Sequence, residues 1–515
     1  MTTDIATLYQ DIDVLLGDVR REGESQAEAW KGVIERPGFT ASALNLAHYL
    51  ALRRRDLRPL QRPLTALGLS SLGRLESRVL PTLLAVRTAL AELLGHRPDG
   101  QPPNDFFAGE ARLAARRCEL LGAQTTSAAT ALLVTCPTEA ADDPSFMLGL
   151  AERGVEAVRI NCAHDDADRW ARMIGHLRAA EAKTGRRLKV FMDLAGPKIR
   201  TGEVRAPPER RHIRRGELLV IARSGALNSI DLAEPHFAVE CTLADALNAA
   251  RPGDRIYVDD GKLGAKIERA EAWGLVARVT AVVDKGLKLK PEKGLNFPDR
   301  ALDIDALTPK DRADLEFVAA HADGVGYSFV QSARDVVMLQ EALAGHRPHD
   351  WRSLALVLKI ETSRAVANLP EIIVQAAGRQ PAAVMIARGD LAVEIGFART
   401  AEMQEEILWL GEASDVPVIW ATQVLEHLVA KGMPSRGEMT DAAMAARAEC
   451  VMLNKGPYLF DAIDQIQALL RRMDDHQHKK TPQLRELKSW RRPPPVPPAR
   501  ERTKGRASDQ PADAR

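Results

Sequence analysis

The segment FMDLAGPKIRTG, residues 191–202, begins with a short apolar run and continues into a turn that carries several charges. The run ends at Asp193, and a Gly-Pro pair then leads to Lys198 and Arg200. An acid followed by two cations at the end of a buried strand has two explanations: a sharp turn with solvated charges, or a binding site for an anion. The remainder of the sequence distinguishes between them.

Seven further apolar runs of similar length are spread along the chain: ALLVTC, AVRIN, GVGYSF, ALVLKIE, AVMIARGD, VPVIWATQ and CVMLN. Most are apolar throughout, as strands buried on both faces must be. Helix-length segments separate most of them, and in TPKDRADLEFVAAHA Thr308 can cap a helix that has Pro309 at its first position. Eight strand–helix units predict an α/β fold, a closed (β/α)8 TIM barrel, with an open doubly wound sheet as the alternative.

The barrel is predicted to be interrupted and extended by segments of different character. Residues 1–125 carry apolar side chains at helical spacing, which predicts a helical N-terminal domain, interpreted as a docking or interaction layer. The barrel is predicted over 126–202 and 299–475. Short alternating strands with Gly-, Asp- and Pro-rich turns over 203–298 predict an inserted small β-barrel lid domain. Residues 476–515 are rich in proline and charge, which predicts a disordered tail.

Composition excludes several classes of function. The 515 residues include 71 Lys and Arg against 70 Asp and Glu, so there is no general basic field for nucleic acid. The five cysteines are scattered without a CxxC pair, which argues against a disulfide framework or a zinc site and predicts a cytoplasmic protein. No secretory signal opens the sequence, and no apolar run reaches the roughly 18 residues that a membrane span needs.

Polar residues lie at the carboxyl ends of the predicted barrel strands. In a parallel barrel all of these ends lie on one face. These residues are Arg159, Asn161, Asp193, Lys359, Glu361, Arg388, Gly389, Asp390, Thr422 and Gln423. A single acid after a strand is usually a turn or cap residue, and the KIE sequence alone could be an internal ion pair. Lys359 and Glu361, however, are two apart on one strand and point to the same face. Burying both is costly unless each has a partner or a ligand.

The acids Glu361 and Asp390 among several cations indicate an anionic ligand and a divalent metal. Two carboxylates, completed by substrate oxygens and water, suit Mg²⁺. Phosphoryl transfer requires this set of groups, because it depends on positive charge placed around a migrating phosphoryl group.

Eight motifs resemble those of the pyruvate kinase family in order and in context: RINCAHDD, DLAGPKIRTG, VDDG, KGLNFPD, LTPKDRADL, LKIET, MIARGDLAVEI and VIWATQVLE. The resemblance covers about residues 130–475. It implies a TIM barrel with a lid and the glycolytic transfer of a phosphoryl group from phosphoenolpyruvate to ADP, which yields pyruvate and ATP. The implied cofactor is Mg²⁺ or Mn²⁺.

The resemblance also implies roles for individual residues. Lys359 resembles the lysine that neutralises the transferring phosphoryl group and the enolate, and Glu361 and Asp390 resemble the metal ligands. The backbone of Gly389 and Asp390, with Thr422, resembles the cradle for the substrate carboxylate, and Thr422 also matches the relay that protonates the enolate. Arg159 resembles the arginine that contacts the phosphoryl group and the nucleotide. His164, Arg200 and Lys293 match positions that engage the nucleotide.

The segment FMDLAGPKIRTG differs from the usual sequence of the family at the site that binds a monovalent cation. Many pyruvate kinases need K⁺, which an Asn, a Ser, an Asp and a Thr bind beside a Glu. Here Asn161 and Asp193 remain, whereas Ala163, Leu194 and Lys198 replace the Ser, the Thr and the Glu. We therefore predict that the ammonium group of Lys198 replaces the ion and that K⁺ is not required. The alternative is that Lys198 is a solvated turn residue.

Other departures keep two different functions open. NKGP, residues 454–457, replaces the family's SGET, and the family's C-terminal regulatory domain is not found. One alternative is a catalytically weak regulatory or scaffold protein, and the other is a metal-dependent lyase or aldolase that acts on pyruvate enolates. Retention of the charged cluster argues against the scaffold, and the lid favours the kinase over the lyase. A homo-oligomer formed through the barrel or the N-terminal helices is compatible with the sequence.

Overall fold

The computed structural model describes residues 4–96, 105–123, 128–230, 236–300, 302 and 304–484. Within this part of the chain, five α-helices precede the first strand: α1 (Ile5–Trp30), α2 (Thr40–Arg53), α3 (Arg58–Ala66), α4 (Val79–Leu93) and α5 (Ala108–Leu121). None of the described helices combines the length and the apolar composition needed to cross a bilayer.

Eight parallel strands form a closed barrel: β1 (Ala131–Thr135), β2 (Ala157–Asn161), β3 (Lys189–Asp193), β11 (Gly324–Tyr327), β12 (Ala355–Ile360), β13 (Ala382–Ala387), β14 (Val418–Ala421) and β15 (Cys450–Leu453). The barrel closes where Ala131 of β1 lies opposite Cys450 of β15. All eight strands coincide with the predicted apolar runs. The predicted TIM barrel is therefore confirmed, and closure excludes the open sheet.

Helices alternate with the barrel strands: α6 (Pro144–Glu152), α7 (Ala167–Thr184), α9 (Pro309–His321), α10 (Ala333–His346), α11 (Ser363–Ala367), α12 (Leu369–Ala377), α13 (Arg388–Ile395), α14 (Phe397–Ala413), α15 (Glu426–Lys431), α16 (Arg436–Ala445) and α17 (Leu459–Asp474). The predicted start of α9 is confirmed, since Thr308 Oγ1 accepts a hydrogen bond from Asp311 N at 3.1 Å and Pro309 is the first helical residue.

The insertion after β3 forms a separate sheet: β4 (Thr201–Arg205), β5 (Leu218–Arg223), β6 (Phe237–Cys241), β7 (Arg255–Val258), β8 (Leu263–Glu271), β9 (Gly274–Val282) and β10 (Leu295–Asn296), with the short helix α8 (Ala244–Ala249). Its strands enclose their own apolar cluster, which includes Ile221, Phe237 and Ile256. Because the insertion encloses this separate core, its apolar residues follow a different pattern from those of the barrel strands. We call this sheet the lid.

The N-terminal helices cover the barrel end at which the strands begin. Ser42 Oγ donates to Asp415 Oδ2 at 2.7 Å, and the backbone N–H groups of Glu35 and Arg36 donate to Gly378 O at 2.9 and 2.8 Å. Gly378 and Asp415 precede β13 and β14 respectively. One buried apolar cluster joins these helices to the outer barrel helices, so the layer lies opposite the face that carries the polar strand ends.

The predicted tail requires one correction. It was expected from residue 476, but β16 (Gln477–His478) and β17 (Thr481–Pro482) pair as a short hairpin. Lys479 and Lys480 hold the hairpin in place through ion pairs with Glu449 and Glu76. Partners so distant in sequence could not be predicted from local composition. Residues 485–515 of the predicted tail lie outside the described residues.

Asn45 of α2 is a buried link between the helical layer and the barrel. Its Nδ2 donates to Glu76 O at 2.7 Å and to Ala413 O at 2.8 Å, and its Oδ1 accepts from Val79 N at 3.0 Å. We expect Asn45→Ala to lower the free energy of unfolding by about 3 kcal/mol, because three buried backbone groups lose their partners at roughly 1 kcal/mol or more each. Chemical denaturation followed by circular dichroism measures this change.

Asn228 is exposed in the lid and provides the control. Asn228→Ala should change the stability by less than about 0.5 kcal/mol. An Asn45→Ala protein as stable as the unmodified chain would contradict the assigned role of Asn45.

Candidate active site

The carboxyl ends of the barrel strands gather charged side chains around one buried acid. Arg159 Nε, from β2, donates to Asp193 Oδ2 of β3 at 2.7 Å, and Lys359 Nζ, from β12, lies 3.6 Å from the same oxygen. Asp193 is only 1% exposed. Burial by itself would raise the pKa of Asp193, but the charges of Arg159 and Lys359 outweigh burial and hold that pKa below its usual value. Three of the predicted residues therefore form one ionised cluster.

Lys359 is held from several sides. Its Nζ lies 3.0 Å from Glu361 Oε1 and donates to Ser328 Oγ at 2.7 Å. The Ser328 hydroxyl in turn donates to Leu194 O at 2.7 Å. These contacts fix the ammonium group at the centre of the strand ends. Sequence reasoning missed Ser328, although it follows the apolar strand GVGY directly and could have been found by its position.

Two carboxylates form the candidate metal site. Glu361 is 2% exposed, and its Oε2 accepts from Phe329 N at 2.6 Å. Burial raises the pKa of Glu361 and nearby Asp390 raises it further, while Lys359 opposes both effects. A divalent cation would relieve this unfavourable charge. The two carboxylates suit Mg²⁺, which takes its remaining ligands from substrate and water oxygens. Within the described residues, no group of three or more His, Cys, Asp and Glu side chains is placed to hold a metal ion.

Gly389 and Thr422 are paired at the neighbouring strand ends. Gly389 N donates to Thr422 Oγ1 at 2.8 Å. Thr422 has a φ of 60°, a left-handed conformation that costs energy in a residue with a branched side chain. Arg388 stabilises it, because its Nη2 donates to Thr422 O at 2.6 Å and to Asp441 Oδ2 at 2.9 Å. Asp441 was not predicted, and no pattern in the local sequence indicates its pairing.

Lys198 lies between the barrel and the lid. Its Nζ donates to Asp390 Oδ1 at 2.8 Å. Burial lowers the pKa of Lys198, but Asp390, with Asp260 of the lid and Glu361, more than compensates and raises it. A cavity of about 300 Å³ opens beside this pair, lined by the two chain segments that join the lid to the barrel and by α13. Lys198 therefore belongs to the carboxylate cluster.

The residues of the predicted monovalent-cation site each contact other groups of the protein. Asn161 Oδ1 accepts from Ala163 N at 3.1 Å, a local turn contact. Among the described residues no hydrogen bond or ion pair joins Lys198 to Asp193, whose charge Arg159 and Lys359 compensate instead. Leu194 is 1% exposed and fills apolar space.

The residues predicted to bind the nucleotide belong to both the barrel and the lid. Burial lowers the pKa of His164, and the charges of Lys455, Arg200 and Arg159 lower it further while Asp165 opposes them, so these basic groups lie near enough to His164 to affect its charge. Lys455 was missed, although it belongs to the NKGP segment. Beside it, a cavity of about 450 Å³ is lined by Pro137, Thr138, Phe146 and Phe460, among others.

The remaining predicted nucleotide residue, Lys293, belongs to the lid. Lys293 Nζ lies 3.4 Å from Asp259 Oδ1, and Arg200 Nη1 donates to Glu292 O at 3.0 Å. In this structure Lys293 therefore pairs within the lid rather than with the barrel cluster.

Comparison with known proteins agrees with this arrangement of strands and side chains. The model of the family described as "Pyruvate kinase, barrel domain" matches residues 129–459. The chain belongs to the pyruvate kinase family. Membership makes it an enzyme of the phosphotransferase class.

Three relatives illustrate the extent of the similarity. A pyruvate kinase of Agrobacterium vitis is 32% identical over 348 residues, which are 66% of this chain and 67% of the relative. A pyruvate kinase of Geobacillus stearothermophilus is 30% identical over 331 residues, 63% of this chain and 53% of the relative. Pyruvate kinase 1 of Trypanosoma brucei brucei is 32% identical over 321 residues, 60% of each chain. The similarity thus leaves about a third or more of each sequence unmatched.

Proposed function

We propose that this pyruvate kinase family member transfers a phosphoryl group from phosphoenolpyruvate to ADP with Mg²⁺ or Mn²⁺, as in glycolysis. The observation that carries the proposal is the buried cluster at the strand ends, in which Lys359 contacts Asp193, Glu361 and Ser328. A preorganised ammonium group beside a migrating phosphoryl group lowers the barrier because its charge acts mainly on the transition state.

The substrate is assigned to the groups around Lys359. Arg159 and Lys359 would contact the phosphoryl group, and the backbone of Gly389 and Asp390, with the Thr422 hydroxyl, would bind the carboxylate. The Thr422 hydroxyl also belongs to the relay that delivers a proton to the enolate. A divalent ion held by Glu361 and Asp390 would supply the positive charge that neutralises the transferring group.

The nucleotide is assigned to the basic region formed by Arg159, His164, Arg200 and Lys455, next to the cavity that Phe460 lines. Lys293 would join from the lid. Transfer to ADP competes with transfer to water, so donor and acceptor must be held in line and water excluded. A lid joined to the barrel near Gly202 and Pro298 could close over the cleft and meet both requirements.

The two alternative functions have less support. A scaffold has no use for a buried cluster of this cost, since each unpaired charge in it would destabilise the fold. A lyase needs no basic region for a nucleotide. The deciding experiment is a coupled assay for pyruvate formation from phosphoenolpyruvate and ADP, with and without Mg²⁺. Pyruvate formed only with ADP and metal supports the kinase. Formation without ADP would be hydrolysis of phosphoenolpyruvate and, like the absence of any formation, would contradict it.

The cellular setting also remains a proposal. We infer a cytoplasmic enzyme, for which the five cysteines, all within the described residues and all free thiols, are the support. A homo-oligomer formed through the barrel or the N-terminal helices would be tested by light scattering.

We predict that the enzyme does not require K⁺. Ala163 and Leu194 provide no side-chain oxygen, and the charge of Asp193 is compensated by Arg159 and Lys359. A monovalent ion would therefore find few ligands, while Lys198 supplies a permanent positive charge. Rates in K⁺ and in tetramethylammonium should agree within about twofold at matched ionic strength, which keeps screening constant.

Substitution of Lys198 tests the same prediction. Lys198→Glu should lower turnover, and K⁺ should restore it only in part, because Ala163 and Leu194 still lack ligand oxygens. Lys285→Glu, at an exposed position of the lid, makes the same change of charge and should leave turnover unchanged. Stimulation of the unmodified enzyme by K⁺ of tenfold or more would show that the role assigned to Lys198 is wrong.

A further inference from the structure

Both carboxylates assigned to the divalent cation are paired with lysines in this structure. Glu361 Oε1 lies 3.0 Å from Lys359 Nζ, and Asp390 Oδ1 accepts a hydrogen bond from Lys198 Nζ at 2.8 Å. The Lys198 and Asp390 side chains are 24% and 19% exposed, so water and salt screen their attraction only in part. Each proposed metal ligand is therefore already paired with a cation of the protein itself.

The two lysines differ in how firmly they are held. Lys359 Nζ also contacts Ser328 Oγ at 2.7 Å and Asp193 Oδ2 at 3.6 Å, so it keeps two partners if its glutamate turns to a metal. Lys198 Nζ has Asp390 as its one direct partner among the residues that the structure describes. Lys198 also lines the cavity of about 300 Å³ beside the pair, which gives its side chain room to move. Lys198 can therefore leave its carboxylate, whereas Lys359 stays in place.

Lys198 also faces an acid of the lid. An added Cβ at Gly294, just before β10, would lie 3.3 Å from Lys198 Cε and 3.8 Å from Asp260 Oδ1, so both side chains lie against this glycine. Burial lowers the pKa of Lys198, but Asp390 of the barrel and Asp260 of the lid both raise it. One ammonium group therefore interacts with an acid on each side of the cleft.

The lid turn VDDG, residues 258–261, lies next to α13, the helix that carries Asp390. An added Cβ at Gly261 would meet Val393 Cγ2 of α13 at 3.6 Å, which is a van der Waals distance. Lys198 thus connects the lid turn to α13 at one of the two carboxylates that a divalent cation would need.

We propose that Lys198 competes with the divalent cation for Asp390 and that, in the metal-free enzyme, it ties the lid turn to the barrel. Since this competition concerns the metal site of the proposed function, it rests on that proposal. A divalent cation bound to Asp390 would lie close to an ammonium group that stays 2.8 Å from the same carboxylate, and the two positive charges would repel each other. Metal binding therefore requires Lys198 to move away, and its departure releases the lid turn.

Binding of Mn²⁺ alone, without phosphoenolpyruvate or ADP, tests the competition. Electron paramagnetic resonance measures the Mn²⁺ that stays free in solution, so it reports binding and not turnover. Lys198→Met removes the charge and keeps most of the side-chain volume, so it should bind Mn²⁺ at least about tenfold tighter than the unmodified chain. Lys198→Arg retains a cation and should bind Mn²⁺ no more than about twofold tighter.

Lys262→Met is the matched control. Lys262 directly follows the lid turn, and its Nζ lies 3.1 Å from Asp259 Oδ2. The control loses an ammonium group of the same lid, but its affinity for Mn²⁺ should change less than about twofold. Unchanged affinity in Lys198→Met, or an equal gain in Lys262→Met, would overturn the competition.

Hydrogen exchange over residues 258–262 tests the tie between the lid and the barrel. Mg²⁺ should speed exchange there at least about threefold in the unmodified chain, because the turn loses its contact through Lys198. In Lys198→Met exchange should already be fast without metal, and Mg²⁺ should speed it by less than about twofold. Exchange that Mg²⁺ slows or leaves unchanged in the unmodified chain would overturn the displacement of Lys198.

The outcomes separate this competition from the proposed reaction. If Lys198→Met gains affinity for Mn²⁺ while the coupled assay of the unmodified chain forms no pyruvate, the reaction is wrong and the competition stands. If pyruvate forms but the affinity of Lys198→Met is unchanged, the competition is wrong and the reaction stands. If neither chain binds Mn²⁺, both the metal site and the competition are wrong.

Discussion

Lys359→Met is expected to reduce the rate of pyruvate formation by on the order of 10²–10³-fold or more, without loss of the fold. The Lys359 side chain is 12% exposed, and its ammonium group is fixed by Asp193, Glu361 and Ser328. Its charge is therefore oriented before the substrate binds and needs no rearrangement during transfer. Methionine retains most of the side-chain volume but removes the charge, so the loss should appear in kcat more than in KM.

The fold should survive because Arg159 still compensates the charge of Asp193 at 2.7 Å. Lys189→Met is the matched control: this lysine lies at the opposite end of the barrel, on β3, where its Nζ is 3.4 Å from Asp323. We expect the control to keep its turnover. A folded Lys359→Met protein with nearly unchanged turnover would remove Lys359 from the proposed mechanism.

Glu361→Gln and Asp390→Asn are each expected to raise the concentration of Mg²⁺ or Mn²⁺ needed for half-maximal rate by at least about tenfold, since a neutral amide oxygen binds a hard cation more weakly than a carboxylate. The pKa of Glu361 is raised by burial and by Asp390, so Glu361→Gln also relieves a repulsion in the metal-free protein. That variant should therefore unfold at a temperature equal to or higher than that of the unmodified chain without metal, while it binds metal less well.

Glu394→Gln is a matched control for the metal titration. Glu394 lines the same cavity as Asp390, and burial raises its pKa to about 7. Its carboxyl group is thus already partly neutral near that pH, and the amide should leave the metal requirement unchanged. If both Glu361→Gln and Asp390→Asn retain the original metal titration, the metal is bound elsewhere.

The sequence predicted which charged residues lie at the strand ends but not which acid pairs with which cation. The expectation that Lys198 replaces a monovalent ion rested on comparison of single positions with the family. In the structure Lys198 contacts Asp390, a residue 192 positions away, while Asp193 contacts Arg159 and Lys359. Several acids and cations of suitable length project from neighbouring strand ends, so many pairings are compatible with the sequence. Distances of a few ångström decide among them.

The sequence alone determined the barrel and the residues at its polar face. Strands buried on both sides must be apolar throughout, and the first polar residue after each strand marks its carboxyl end. Only the tertiary structure decided that Ser328 supports Lys359 and that residues 477–482 form a hairpin. The physical reason is that periodicity depends on near neighbours in sequence, whereas these features depend on groups brought together by closure of the barrel and by packing of the helical layer.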